Sequence, residues 1–467
     1  MTFFFRTSYR KLHIIIMGKN KYLVQGGIYL NSKTISSLNK PVNKSIKDII
    51  KKKSAIKKNN KKDKLSIILV TNEYPTDERI TPGGGIGTVY YEMANGLAEL
   101  GHDVSVITLT RIKEACYYEN GVHVHKIFPI IYQPKEQIEY KKGLLKSFYW
   151  SKAVSKKIFS ILREKNVDII QFPELSGQAY FFLKDIKESS EINNKKRNFK
   201  NLVRLHSFTK YYRKSRNILT QTEHQKLELE RITLKNCDLV ISSCNETIET
   251  AKKTMNIDNL KYEIVPNSID STFFRPKKEK HNLDNNKYFV FGYVGKLRYA
   301  KGVDNIIKAF SVIAAENHKV ELLLIGREQN YAYSLIDNLR GDIKERIKVI
   351  RQIPRNELVN YYQTFNCFIL ASRYESSPNT LLEAMSCGVP AIASNVGCVN
   401  EILGNSPNII FNSENTEELI KAMKIMLKKP HVRQKASLYN RQKVEKNYSR
   451  KIIAQRYVSL YKKLLNN

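Results

Sequence analysis

The residues best able to do chemistry are two glutamates, Glu375 and Glu383, at the ends of the run Glu-Ser-Ser-Pro-Asn-Thr-Leu-Leu-Glu. The run continues through Ala-Met-Ser-Cys-Gly to Val389 and Pro390. Locally it reads as a helix. Ser377 can cap the start, and Pro378 fits the first turn, where a missing N–H costs nothing. Gly388 can supply the left-handed residue after the last turn, and Pro390 prevents continuation. The amides of Ser377, Asn379, Thr380 and Leu381 would then lie at a helix start, a natural seat for phosphate. Carboxylates beside it can accept hydrogen bonds from sugar hydroxyls without a metal. Taken alone, a glutamate pair at this spacing is more often two solvent-facing side chains.

The pair is not alone. Gly83, Gly84, Gly85 and Gly87 lie between an apolar run and a helical stretch, where bare backbone lets amides approach a diphosphate closely. Gly295, Lys296 and Arg298, then Lys301 and Gly302, close another apolar run. Lys296 and Lys301 can neutralise a leaving diphosphate. His206 ends a third run, a position often structural but well placed for a cleft.

The elements that must position these residues follow from apolar periodicity. Residues 65–70 form a short strand, residues 89–100 are helical up to Gly101, and residues 104–108 form the next strand. Strand, glycine turn, helix and strand make one βαβ unit. Strand patterns recur at 168–172, 202–205, 238–242 and 262–265, with helical stretches at 145–164 and 222–234. After the polar stretch 277–287 a second series begins at 289–294 and ends in an amphipathic helix at 452–465. The expected architecture is α/β: two Rossmann-like parallel-sheet domains facing across a cleft. Their expected limits are 65–274 on the acceptor side and 275–448 on the nucleotide side. A helix over 449–467 crosses back, and 1–64 is a basic N-terminal extension. Ligands on such sheets sit beyond the carboxyl ends of the strands.

Composition narrows the classes. Of the formal charge of +35, residues 1–64 carry a net +15, with 17 Lys/Arg against Asp48 and Asp63. That extension reads as a disordered or peripheral tail, with contact to anionic lipid as the sharper alternative. The six cysteines form no Cys-x-x-Cys pair and suggest a reducing compartment. No run reaches the roughly 18 apolar residues that span a bilayer. The expected location is cytoplasmic, with peripheral contact at the inner face of the membrane. Met17 is an alternative start.

In this order the segments resemble the family-four retaining glycosyltransferases of the GT-B fold over residues 65–465. ESSPNTLLEAMSCGVPAIAS carries most of the resemblance, supported by VGKLRYAKG, PGGGIGTVYYEMANGLAELGHDVSVIT, VPNSIDSTFF and ASRYES. The resemblance implies a sugar moved from a nucleotide diphosphate, UDP or GDP by preference, to a saccharide or lipid-linked acceptor. Surface glycan or glycolipid synthesis is the implied setting. It places Glu375 by the donor sugar, Glu383 on the ribose, Lys301 on the diphosphate and His206 beside the transferred sugar. Gly84, Gly85 and Gly87 match the first-domain loop near the phosphates, and Arg351, Gln352 and Ile353 the base contact. Lys296 stands where arginine is commoner, keeping the charge but losing the bidentate fork. The chain has no Asp-x-Asp, so no cofactor and no metal are expected. Two other classes stay open on the sequence: a nucleic-acid-binding basic protein, against which no docking motif is found, and a sugar phosphorylase of related fold.

Overall fold

The computed structural model describes the strands within residues 2–29 and residues 64–75, 84–129, 143–188, 198–208, 219–277 and 288–466. The chain divides into two compact units, Met1–Lys64 and Leu65–Asn467. In the first, strands β1 (Thr2–Thr7), β2 (Arg10–Ile16), β3 (Tyr22–Val24) and β4 (Ile28–Tyr29) form an antiparallel sheet in chain order. Residues 30–63, which hold most of the lysines of the extension read above as a tail, lie outside the described residues.

The second unit holds two sheets. The first contains β5 (Ser66–Thr71), β6 (Asp103–Leu109), β7 (Ala115–Glu119), β8 (Val122–Ile127), β9 (Ile169–Pro173), β10 (Lys200–Leu205), β11 (Leu239–Ser242) and β12 (Tyr262–Ile264). Their order is β12-β11-β10-β9-β5-β6-β8-β7, parallel except for β7 against β8. Its helices are α1 (Gly85–Glu99), α2 (Gly143–Glu164), α3 (Tyr180–Glu188), α4 (Gln221–Asn236) and α5 (Asn245–Met255). The second sheet, β15-β14-β13-β16-β17-β18, is parallel throughout. Its strands are β13 (Phe289–Val294), β14 (Val320–Ile325), β15 (Ile347–Ile350), β16 (Cys367–Leu370), β17 (Ala391–Ser394) and β18 (Ile409–Phe411). Around it lie α6 (Val303–Glu316), α7 (Gln329–Ile336), α8 (Gly341–Lys344), α9 (Arg355–Tyr362), α10 (Asn379–Ser386), α11 (Val399–Leu403), α12 (Thr416–Lys428) and α13 (Pro430–Asn447).

The near-continuous apolar runs are explained by burial on both faces. On β5, Ile67 and Leu69 enter the core beneath α1, while Ile68 and Val70 enter the core beneath α2. On β13, Phe291 and Tyr293 face α6 and Val294 faces α10. Each such fully buried aliphatic side chain contributes about 1.5–3 kcal/mol.

The last helix, α14 (Arg450–Asn466), returns to the first sheet, where Ile453, Tyr457 and Tyr461 pack with Val89, Tyr90 and Met93 of α1. Tyr461 Oη donates to Gln171 Oε1 at 2.8 Å, and the fully buried Arg204 guanidinium of β10 hydrogen-bonds Tyr457. Arg204 Nη2 also reaches Val265 O at 3.0 Å and Asn267 Oδ1 at 2.8 Å, so one buried cation ties the sheet, the crossover and the final helix together.

The β7–β8 hairpin is an addition to the sequence reading, although the signal was present. Asn120 and Gly121 both take positive φ (49° and 82°), as a tight two-residue hairpin turn demands.

Candidate active site

In the second half the loop after β13 carries Gly295 and Lys296 and then a short 3-10 turn, Tyr299–Lys301. Lys301 forms an ion pair with Glu375 Oε1, which also accepts from Ser372 Oγ at 3.0 Å. Arg373 fixes this geometry. Its two terminal nitrogens meet the carboxylate of Asp304 at 2.8 Å each, and Nε meets Glu414 at 2.7 Å. Its guanidinium lies 3.6 Å from the Tyr299 ring centroid, and its amide donates to Ala300 O at 3.1 Å. The loops bearing the lysine and the glutamate are therefore stapled to one another, and little reorganisation is left for a ligand to induce. Lys296 is exposed beyond this pair, and its pKa is lowered by desolvation and by Arg298, with Glu328 and Glu73 opposing.

Helix α10 starts one turn position later than its sequence suggests. Pro378, in extended conformation, is the residue before the first turn, and no side chain caps it. Ser377 is therefore not the cap expected above. Its carbonyl accepts from Asn267 Nδ2 at 3.3 Å, so a tertiary partner competes with the local cap. Asn379 and Thr380 are the first helical residues, whose amides have no intrahelical acceptor. Leu381 is fully buried in the core, and its amide already bonds Pro378 O at 3.2 Å. Gly388 takes the expected left-handed conformation (φ 72°).

Glu383, on the same helix, is 4% exposed. It accepts from Tyr362 Oη at 2.8 Å and lies 3.6 Å from Arg355 Nε. Desolvation raises its pKa, with Arg355 opposing. Arg355 also reaches Glu92 of α1 at 2.7 Å, and Arg450 meets the other oxygen of Glu92 at 2.8 Å. A chain of charges thus runs from Glu383 in the second half to α1 in the first. Ile353 sits just before α9, half-buried against the core that contains Leu381.

In the first half the glycine loop meets an internal carboxylate. Gly84 precedes α1, and Gly85 and Gly87 are in its first turn. A Cβ on Gly87 would lie 1.5 Å from Glu73 O, and one on Gly84 would lie 2.2 Å from Glu73 Oε2. The glycines are needed here because residue 73 presses on the helix start, and the Gly87 amide donates to the Glu73 carboxylate. Burial raises the Glu73 pKa, opposed first by Lys296 across the cleft. His206 follows the last residue of β10 at 9% exposure, its Nε2 without a partner among the described residues and its ring 5.8 Å from that of Tyr90. Desolvation, then Arg204, holds it neutral, with a pKa well below the ordinary value.

The two halves meet here. Asn379 Nδ2 donates to Gly85 O at 3.2 Å, Asn267 Nδ2 donates to Asn379 Oδ1 at 2.7 Å, and Thr247 and Ser376 hydroxyls lie 3.0 Å apart. Lys301 and Glu375 are paired directly, and Gly84, Gly85 and Gly87 lie opposite Lys296 and Asn379. Glu383 faces Arg355 and Glu92 rather than the Lys301 pair. Glu73, Arg355 and Arg373 were not singled out from sequence. Glu73 could have been, since it follows a strand and precedes a glycine loop. Segments 130–142 and 209–218 of the half expected to face the acceptor lie outside the described residues. Among the described residues no group of three or more His, Cys, Asp or Glu is placed to hold a metal, and no helix is long and apolar enough to cross a membrane.

Two parallel sheets whose strand ends present cations and carboxylates to one another define an enzyme of the GT-B glycosyltransferase fold. Residues 83–273 match the family model described as Glycosyltransferase Family 4, and residues 274–443 match Glycosyl transferases group 1. The chain belongs to this family of glycosyltransferases. Its capsular polysaccharide biosynthesis relative CapM of Staphylococcus aureus is 26% identical over 200 residues, 40% of this chain and 52% of CapM. The match therefore spans about half of that relative. The sucrose-phosphate synthase of Thermosynechococcus elongatus shares the fold with a TM-score of 0.70 at 19% identity, covering 86% of this chain and all of that one (100%). Anabaena HepE in complex with UDP and glucose has a TM-score of 0.60 at 15% identity, covering 85% of this chain and 100% of HepE.

Proposed function

We propose that the cleft takes a UDP- or GDP-linked sugar and transfers the sugar to an acceptor hydroxyl with retained configuration and without a metal. The acceptor is a saccharide or a lipid-linked one, in the making of a surface glycan or glycolipid. The observation that carries this reading is the Lys301–Glu375 ion pair held at the approach to α10, with Lys296 beside it. A cation for the diphosphate and a carboxylate for sugar hydroxyls are adjacent, as a donor spanning the two requires. The HepE structure with UDP and glucose supports a uridine donor, and the name of CapM supports a polysaccharide product.

In the proposed step the bond from the anomeric carbon to the diphosphate oxygen breaks as the bond to the acceptor oxygen forms on the same face. The departing diphosphate takes the hydroxyl proton, so no protein base is required. Lys301 and Lys296 stabilise the charge that develops on the diphosphate. Glu375 and His206 orient the sugar, Glu383 the ribose, and Ile353 flanks the base. A thermal-shift screen of UDP, GDP, ADP and CMP tests it, since a ligand bound only to the folded state raises Tm. UDP or GDP gives the larger shift, and EDTA leaves both that shift and turnover unchanged. No shift with either nucleotide, or activity abolished by EDTA and restored by a divalent cation, overturns the reading.

A further inference from the structure

Behind His206 lies a carboxylate with no assigned part in the reaction. Glu174 follows β9 and is fully buried. Its Oε1 accepts the Ser207 amide at 2.7 Å. Its own amide donates to Arg204 O at 3.1 Å, and its carbonyl accepts from Gly177 at 2.9 Å. One residue thereby clamps the end of β10 to the turn that follows β9. The turn is itself constrained: Ser176 has φ 59°, in the left-handed region, and its amide donates to Glu230 Oε1 at 2.9 Å, a second fully buried carboxylate.

Burying a carboxylate is costly unless its hydrogen bonds are fixed in place. Each of these two buried glutamates satisfies a backbone amide that an apolar side chain would leave unpaired, so each holds the backbone locally in place. The Glu174 contact is made to the amide of Ser207, the residue after His206, just beyond the end of β10. Among the described residues Glu174 Oε2, His206 Nε2 and Tyr90 Oη are all buried without a partner, with the Tyr90 ring tilted against that of His206 at 5.8 Å between centroids. Among the described residues Nε2 of this imidazole has no partner, so its aim depends on its backbone and on that ring contact. We propose that Glu174 is a positioning residue for the transfer reaction: by holding the amide of Ser207, next in the chain to His206, it sets where the His206 imidazole stands against the transferred sugar. This rests on the reading of His206 as a sugar contact given above. Glu174 itself touches no substrate.

Acceptance of this amide needs an oxygen at this position, not a charge. Glu174→Gln keeps a carbonyl oxygen on the same arm, whereas Glu174→Met fills the space and accepts nothing, and Glu174→Asp withdraws the oxygen by one methylene. Steady-state kinetics of these variants, with His206→Ala alongside, test the proposal. The expected result is a kcat lowered by about 10-fold or more in Glu174→Met and Glu174→Asp with the donor KM within about 2-fold, and rescue to near wild type in Glu174→Gln. A kcat unchanged in Glu174→Asp, or a Glu174→Gln variant as slow as Glu174→Asp, overturns it. If Glu174→Met does not fold, the Asp and Gln variants decide. A His206→Ala variant with wild-type kcat overturns the site reading itself, whereas a slow His206→Ala beside a fast Glu174→Asp overturns only the positioning role.

Discussion

Replacing Lys301 by Met isolates the charge at the centre of the proposed site while keeping most of the apolar stem. In the folded ground state the loss is contained. Glu375 retains Ser372 Oγ at 3.0 Å, and the Arg373 staple to Asp304 and Glu414 does not involve Lys301. The ion pair is 22% and 16% exposed, so an uncompensated Glu375 is only partly desolvated, and a stability cost of about 1–2 kcal/mol follows after screening. The transition state is affected more. The leaving diphosphate gains charge next to a missing ammonium in a site where the remaining cation, Lys296, stands in solvent, and loss of one preorganised donor costs about 2.7–4 kcal/mol. That is roughly a 10²–10³-fold fall in kcat. Release of nucleoside diphosphate from the donor that gives the largest thermal shift is the assay, with Lys301→Arg retaining most activity. A folded Lys301→Met variant with kcat within threefold of wild type would refute the assignment of Lys301 to the diphosphate.

Breaking the chain of charges between the halves gives a different signature. Arg355→Met leaves Glu383 with Tyr362 and Glu92 with Arg450, and is expected to lower stability by about 1–3 kcal/mol, read as a fall in Tm, while Glu383→Ala raises the donor KM more than it lowers kcat. Unchanged Tm in the first and unchanged KM in the second contradict these roles. Gly87→Ala puts a methyl 1.5 Å from Glu73 O and should cost about 1–3 kcal/mol or more, whereas Gly341→Ala, with open space around it, should be neutral or slightly stabilising; equal melting points would count against the close approach. Glu174 supplies a pH test. Burial raises its pKa from 4.5 to about 8, with Glu230 of α4 adding to the rise and the His206 and Ser207 amides opposing it; Tyr90 of α1 and Arg204 of β10 are the other facing groups. The unfolded chain then ionises at lower pH than the folded one, so stability falls as pH rises from about 4.5 to 8, by roughly 1.4 kcal/mol per pH unit within that window. Glu174→Gln should flatten this slope, and parallel pH profiles of Tm in the two proteins would show that Glu174 does not titrate there.

The parts legible in the sequence are those whose physics is local or periodic. Parallel strands buried on both faces leave short apolar runs, so β5, β6 and β9 through β11 could be placed to within a few residues. The Lys301–Glu375 contact was legible only as motif order, since no periodicity relates residue 301 to residue 375. What was missed involves partners brought together by the fold. Arg355 looks like an ordinary surface arginine until α1 places Glu92 beside it. Ser377 and Pro378 form a credible local helix start, but Asn267 holds Ser377 outside the helix. Local rules fail here because the two halves compete for the same polar groups, and the competition is won by whichever hydrogen bond is also buried. Glu174 is the extreme case: within Gln-Phe-Pro-Glu-Leu it looks like a charge leaving a strand for solvent, and the structure puts it beneath the strand end of His206. Ionisable side chains in this fold are thus most informative where burial contradicts their expected exposure. In the first domain Glu92, Glu174, Arg204 and Glu230 meet that condition most fully, and among them Glu174 holds the backbone amide next to His206.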